Sequence, residues 1–196
     1  MRTRSGGRVS RMGEPGTKEP LSLAELEASA GLRTGRKHIL SILVENKPGV
    51  LTRIAGLFAR RGFNIDTLAV GPTDDDGISR ITLTLDGALH PIDQVTKQLH
   101  KLVNVLKIRD LEPSDTVARE LALFKLAADG ATRGEIMQVA DIFRAKIVDV
   151  TRRSVIVEVT GTWEKIEAFE RLVRPFGLVE MARTGEIAIS RGRSET

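Results

Sequence analysis

Residues 38–85 read HILSILVENKPGVLTRIAGLFARRGFNIDTLAVGPTDDDGISRITLTL, and the order of patterns within this stretch sets the fold class. The β-branched run His38–Asn46 predicts a strand. Pro48-Gly49 interrupts it, and proline suits the first turn of a helix, where its missing N–H removes no bond. Leu51, Ile54, Ala55 and Phe58 then recur at helical spacing up to Gly62, a natural stop. A second strand is expected over Phe63–Pro72. The turn Asp74-Asp75-Asp76-Gly77 leads into a third, Ile78–Leu85, whose Ile81, Leu83 and Leu85 alternate with polar neighbours.

The pattern continues toward the C-terminus. Pro91 opens a second helix with Ile92, Val95, Leu99 and Leu102 on one face, and Val105–Leu111 reads as a fourth strand. Strand, helix, strand, strand, helix, strand is the split β-α-β-β-α-β unit. The remaining residues repeat that order. Arg119–Ala127 (RELALFKLA) is the expected first strand of the repeat, although its composition would equally suit a helix. Ala131–Arg144 carries Ile136, Val139, Ala140 and Phe143 at helical spacing. Ile147–Val150 and Ser154–Thr160 read as strands around Arg152-Arg153, and Thr162–Val173 as a helix capped by Thr162 or Gly161. Leu178–Ala182 and Glu186–Ser190 are expected to close the chain as a short hairpin around Gly185. IAGLFAR (Ile54–Arg60) falls opposite VADIFRA (Val139–Ala145) in the two halves. The fold class is therefore α+β: two ferredoxin-like βαββαβ domains, 37–112 and 115–192, divided near Glu112-Pro113-Ser114. Residues 1–36, rich in Arg, Gly, Ser and Pro, are expected to be a disordered basic extension with one weakly helical stretch, Leu21–Ser29. Met12 is a second candidate start, and residues 193–196 form a tail.

Composition narrows the function classes. With 41% apolar and 29% charged residues the chain is an ordinary globular protein. No run approaches the roughly 20 apolar residues of a membrane helix, and the first residues lack a signal peptide's apolar stretch. Cysteine is absent, so disulfides, thiolate metal sites and redox thiols are excluded, and a reducing cytoplasm is the expected location. The pI of about 9.7 raises the question of nucleic acid. Yet residues 1–36 hold seven Lys/Arg against four Glu, while residues 37–190 hold 21 basic and 21 acidic side chains. The folded part is neutral, aromatics are 4% and tyrosine is absent, so no nucleic-acid partner is expected.

Catalytic signatures are missing. His38, His90 and His100 have no metal-ligand spacing and read as surface residues at positions 38 and 100. Asp74-Asp75-Asp76 lacks the alternation and distal Glu of a calcium loop, which favours a solvated turn over a cation site. Glu164, Glu167 and Glu170 are most simply a solvated helix face. No nucleophile elbow, Walker A loop or strand-linked G-x-G-x-x-G occurs. One segment, Glu45–Leu51, carries a proposal of its own. Its helix start leaves backbone N–H groups without intrahelical partners, and a carboxylate there gains about 0.3–1 kcal/mol. Gly49 has no side chain to block approach, Asn46 offers donor and acceptor, and Val50, Leu51 and Ile65 could form an apolar wall. The alternative is a plain strand-to-helix turn, with Asn46 satisfying local backbone.

The stretch 39–83 closely resembles the ACT domain that opens acetolactate synthase small subunits. The resemblance continues through KQLHKLVNVLKI (Lys97–Ile108), RELALFKLAA, FRAKIVDVT (Phe143–Thr151) and ARTGEIAISRG (Ala182–Gly192), and so spans about residues 38–192 in order. Its specific part is RRGFNIDTLAVGPT followed by SRIT and the second half. The resemblance implies a homodimer whose ACT domains pair side by side, with a feedback amino acid, usually valine, between them. By position, the effector-binding candidates are Asn46, Gly49, Val50 and Leu51 of one chain with Asn64 and Ile65 of its partner, and Thr52 beside them. Lys47-Pro48 follows one variant of the motif and is not assigned. The resemblance also implies a large catalytic subunit that holds thiamine diphosphate, FAD and Mg²⁺, so no catalytic residue, metal or cofactor is expected on this chain. That partner condenses two pyruvates, or pyruvate with 2-oxobutanoate, in branched-chain amino-acid synthesis. The rivals are an ACT-type sensing module for another enzyme, a small enzyme on a ferredoxin-like repeat, and a nucleic-acid-binding regulator.

Overall fold

The computed structural model describes residues 37–86 and 91–192. Their elements run β1 (Lys37–Glu45), α1 (Val50–Arg61), β2 (Thr67–Pro72), β3 (Ile78–Asp86), α2 (Ile92–Leu99) and β4 (Val105–Leu111). A 3-10 turn at Pro113–Asp115 leads to β5 (Thr116–Ala127), α3 (Arg133–Ile142), β6 (Lys146–Val150), β7 (Ser154–Gly161), α4 (Trp163–Val173), β8 (Leu178–Arg183) and β9 (Ile187–Ser190). The expected extension at 1–36, His90 and the tail at 193–196 lie outside the described residues.

Each half builds an antiparallel sheet by the same rule. The first has the order β2-β3-β1-β4 and the second β6-β7-β5-β8, so the sequence repeat is a repeat of topology. Register sets the inward faces. Leu40 pairs with Leu83 and Ile42 with Ile81, which turns both pairs toward Ile54, Leu57 and Phe58 of α1 and Val95 and Leu99 of α2. In the second half Phe124 pairs with Val157 and packs against Ile136, Ala140, Ile166, Phe169 and Val173 of α3 and α4. Phe169 lies 5.0 Å from the Phe124 ring and 5.4 Å from the Phe143 ring, and each such buried side chain stabilises by about 1.5–3 kcal/mol.

Two expectations are corrected, for the second strand and the closing hairpin, and one sheet face gains a cover the sequence did not announce. The strand expected over Phe63–Pro72 begins only at Thr67, because Phe63 serves the preceding helix. Gly62 ends α1 in the left-handed region, its N–H bonding Ala59 O, while Phe63 N–H bonds Phe58 O and the two phenylalanine rings meet edge to face at 5.8 Å. The polar residues alternating in β3 do not face water: Thr82 and Thr84, with Ser41 of β1, are buried. Their face is covered by the second half, where Ala188 and Ala118 pack on Ile39 and Leu111. Finally, β8 and β9 do not form a hairpin with each other. Both run antiparallel to β5, β8 along Ala122–Leu126 and β9 along Thr116–Arg119. β5 extends three residues before the expected Arg119, long enough to pair with both. Through the bend between them, Thr184 N–H donates to Leu121 O (3.0 Å), Leu121 N–H to Thr184 Oγ1 (3.1 Å), and Gly185 takes φ 76°. Of the two caps considered for α4, Thr162 holds the position, without a side-chain bond, and Gly161 ends β7.

Candidate functional site

The loop from Glu45 to Val50 joins the centre of the first sheet to α1. Gly49 stands at the helix start with φ 83°, the left-handed region that favours glycine, and no side chain caps the helix. A Cβ built on Gly49 would meet nothing within 4 Å, so the space before the helix N-terminus is open. Asn46 is tied to the β2–β3 turn: its N–H donates to Gly77 O (2.7 Å) and its Nδ2 to Asp76 O (3.0 Å). The acidic triplet forms that turn, with Gly77 N–H donating to Asp75 Oδ1 (2.8 Å) and Ile78 N–H to Asp75 O (2.9 Å). Among the described residues no group of three or more His, Cys, Asp or Glu could hold a metal.

Polar groups flank the loop. Glu45 accepts hydrogen bonds from Asn104 Nδ2 and from Lys47 Nζ (3.0 Å), and these hold its carboxyl below the usual range, Asn104 most of all. Arg53, one turn into α1, donates to Asn104 Oδ1 (3.0 Å). Lys47 is offset by the Glu45 carboxylate it pairs with, so Arg53, bonded to a neutral amide, is the positive charge added at the end of the helix that already favours an anion.

The assigned residues divide into two groups. Asn46, Gly49, Leu51 and Thr52 are exposed around the helix start, whereas the Val50 side chain is buried in the first core and its N–H donates to Lys47 O (3.3 Å). Asn64 is exposed beyond the other end of α1, its Nδ2 donating to Asp66 Oδ1 (3.0 Å), and Ile65 is half-buried against the core. Twelve helical residues separate the groups, a span of about 18 Å, so one chain does not bring them together. His38 pairs across strands with Asp110 (2.9 Å), and His100 is the exposed C-terminal cap of α2.

Sequence reading missed a buried ionic cluster within the second half, and of the glutamates read as a solvated face Glu167 is half-buried and Glu170 buried. Glu120 is only 2% exposed and takes a two-pronged bond from Arg183, Nε to Oε1 at 2.9 Å and Nη2 to Oε2 at 2.7 Å. Arg183 Nη1 also donates to Glu167 Oε1 (2.6 Å). Burial opposes the charge on Arg183, but the bonds to Glu120 and Glu167 raise its pKa on balance. Nearby, burial pushes the Glu186 carboxyl up and the Lys37 ammonium down, and Lys37 Nζ lies 3.6 Å above the Trp163 ring. The available signal was parity: Glu120 shares the alternation of Ala122, Phe124 and Leu126, a charge on an apolar face. An apolar groove of about 430 Å³ runs between β2 and the β5–β9 ribbon, lined by Val70, Pro72, Thr82, Val117, Ile187 and Ile189 among others.

Comparison with known proteins covers both halves. Residues 40–107 match the AHAS small subunit-like ACT domain, and residues 119–192 match the family described as the small subunit of acetolactate synthase. The acetolactate synthase small subunit of Mycolicibacterium smegmatis is 51% identical over 155 residues, 79% of this chain and 91% of that protein. The probable acetolactate synthase small subunit of Methanothermobacter thermautotrophicus is 54% identical over 156 residues, 79% of this chain and 93% of that one. The crystal structure of the acetolactate synthase small subunit from Thermotoga maritima superposes with a TM-score of 0.74 at 43% identity, covering 81% of this chain and 99% of its own. With its repeated sheets, its open helix start and both halves matched in order, the chain belongs to the acetolactate synthase small-subunit family.

Proposed function

We propose that this chain is a regulatory subunit that activates the catalytic large subunit of acetolactate synthase and makes it subject to feedback inhibition by valine. The observation that carries the reading is the uncapped helix start at Gly49, with nothing within 4 Å of a Cβ placed there and with Arg53 one turn into the helix. A ligand carboxylate fits the N–H groups of Leu51 and Thr52, beyond Val50, whose N–H donates to Lys47 O (3.3 Å); its ammonium fits the oxygen of the Asn46 amide, and Leu51 offers apolar contact. The missing half comes from a second copy. β2 is an edge strand of the first sheet, and Val70 on its helix-side face is 49% exposed. Antiparallel pairing of two β2 edges satisfies their open backbone groups. It also sets the start of one β2, with Asn64 and Ile65, beside the end of the other, where the turn bonded to Asn46 begins.

Valine then bridges two protomers and favours one of two dimer arrangements, provided its affinity for them differs. A coupling of about 1–3 kcal/mol, roughly 5–150-fold, suffices. Thiamine diphosphate, FAD and Mg²⁺ belong in this reading to the catalytic partner, which supplies the carbon–carbon bond chemistry. The absence of cysteine suits a reducing cytoplasm. No helix among the described residues is long and apolar enough to cross a membrane.

Gly49→Asp tests the site. It brings a side chain and a negative charge to the open space, and aspartate tolerates the left-handed backbone better than most residues. Reconstituted enzyme should keep its activation and lose most of its inhibition by valine. Wild-type sensitivity in that assay would refute the assignment.

A further inference from the structure

The two halves of the chain meet by defined contacts at the end of the first sheet where β2 enters. Gly185, in the bend between β8 and β9, sits so close to Thr67 that a Cβ at 185 would lie 3.0 Å from the Thr67 Cβ. Thr67 is two residues after Ile65, and its Oγ1 bonds that of Thr84 at 2.6 Å. Asp66 N–H donates to Thr84 O (2.9 Å). At the same end of the sheet Lys37 pairs with Asp86, and its ammonium rests on Trp163, the first residue of α4. Glu186, in the same bend, is buried. Behind the bend, the Glu120–Arg183–Glu167 cluster locks β5, β8 and α4 into one frame. Elsewhere the halves meet through a small buried apolar patch of Ile39, Leu111, Ala118 and Ala188, with the apolar groove open beside it under β2.

A displacement of residues 64–67 therefore has a short physical route out of the first sheet. It meets the β8–β9 bend at Thr67 and Gly185, the frame behind the bend carries it to α4, and the open groove leaves the ribbon room to move. We propose that the bend Thr184–Glu186 and Trp163 are coupling residues: they relay ligand occupancy at Asn64 and Ile65 to the second half of the chain without touching the ligand. This rests on the effector reading above. The bistable element is the seat of the bend on Thr67, and occupancy biases whether it is held or released.

The test separates binding from relay. Gly185→Ala places a methyl against Thr67, and Trp163→Leu keeps an apolar residue while removing the ring beneath Lys37. Each variant is melted to confirm folding, titrated with valine in a calorimeter as the isolated small subunit, and assayed with the catalytic subunit over a range of valine. Expected for Trp163→Leu, and for Gly185→Ala if it folds, is valine affinity within about threefold of wild type and activation retained. The valine concentration for half inhibition should rise by about tenfold or more. Wild-type inhibition in the folded variants overturns the relay. So does a loss of binding that matches the loss of inhibition, because the residues would then belong to the site itself. A wild-type subunit that binds no valine instead refutes the effector reading.

Discussion

Asn46 shows how one side chain can serve two ends. Its Nδ2 straps the loop to Asp76 and its backbone N–H reaches Gly77, so the donor end of the amide is engaged within the protein. In the proposed site, the acceptor end is what remains for a ligand's ammonium. Asn46→Ala should remove a hydrogen bond worth about 1 kcal/mol to the fold and weaken valine binding measured by calorimetry. An unchanged affinity would take Asn46 out of the site. Both readings of the Asn-Lys-Pro-Gly turn were legible in the letters, and the structure shows the local one, with Asn46 satisfying the backbone of the β2–β3 turn. What the letters did not disclose was Val50: apolar and beside the glycine, it is turned into the core by the phase of α1. Gly49 was readable as a residue kept small, but its positive φ is seen only in the folded backbone.

β5, β8 and β9 act as a set. Glu186, buried in the bend that joins two of them, makes the set sensitive to ionisation. The folded pKa of Glu186 lies above its unfolded value, chiefly through burial. Its contribution to stability is therefore full below the ordinary carboxylate value of about 4.3 and is lost as pH rises through the raised value. At neutral pH its charge works against the fold. Glu186→Gln should accordingly melt at a higher temperature than wild type at pH 7, and the gap should narrow as pH is lowered toward about 4. A gap that stays constant across that range would mean that another change, such as altered packing, explains the difference. Alternation in RELALFKLA was readable, but its choice of strand over helix came from the neighbours, since both edges of β5 are taken by β7, β8 and β9.

Two sheets of one topology are joined asymmetrically. The second face of the first sheet lies under the β5–β9 ribbon, while β2 is left at an edge. That edge is the surface on which dimerisation is proposed. Val70→Lys puts a charge on an exposed position of β2, where an isolated fold would tolerate it with a change within about 0.5 kcal/mol. The variant should sediment as a monomer, keep its helical circular dichroism and lose valine binding. A wild-type protein that already sediments as a monomer, or a variant that remains a dimer, would move the interface elsewhere.

Repeating periods along the chain were enough to establish two β-α-β-β-α-β units, most element limits and the turn at Gly49, because those features depend on neighbours a few residues apart. The missing hairpin at Gly185, the burial of Thr82 and Thr84, and the ionic cluster at Glu120 depend on residues some sixty or more positions distant, such as Glu120 with Arg183. No local period encodes which strand a ribbon will pair with or which face it will cover. That choice belongs to the folded chain, where a strand long enough for two partners and a sheet with one uncovered face find each other.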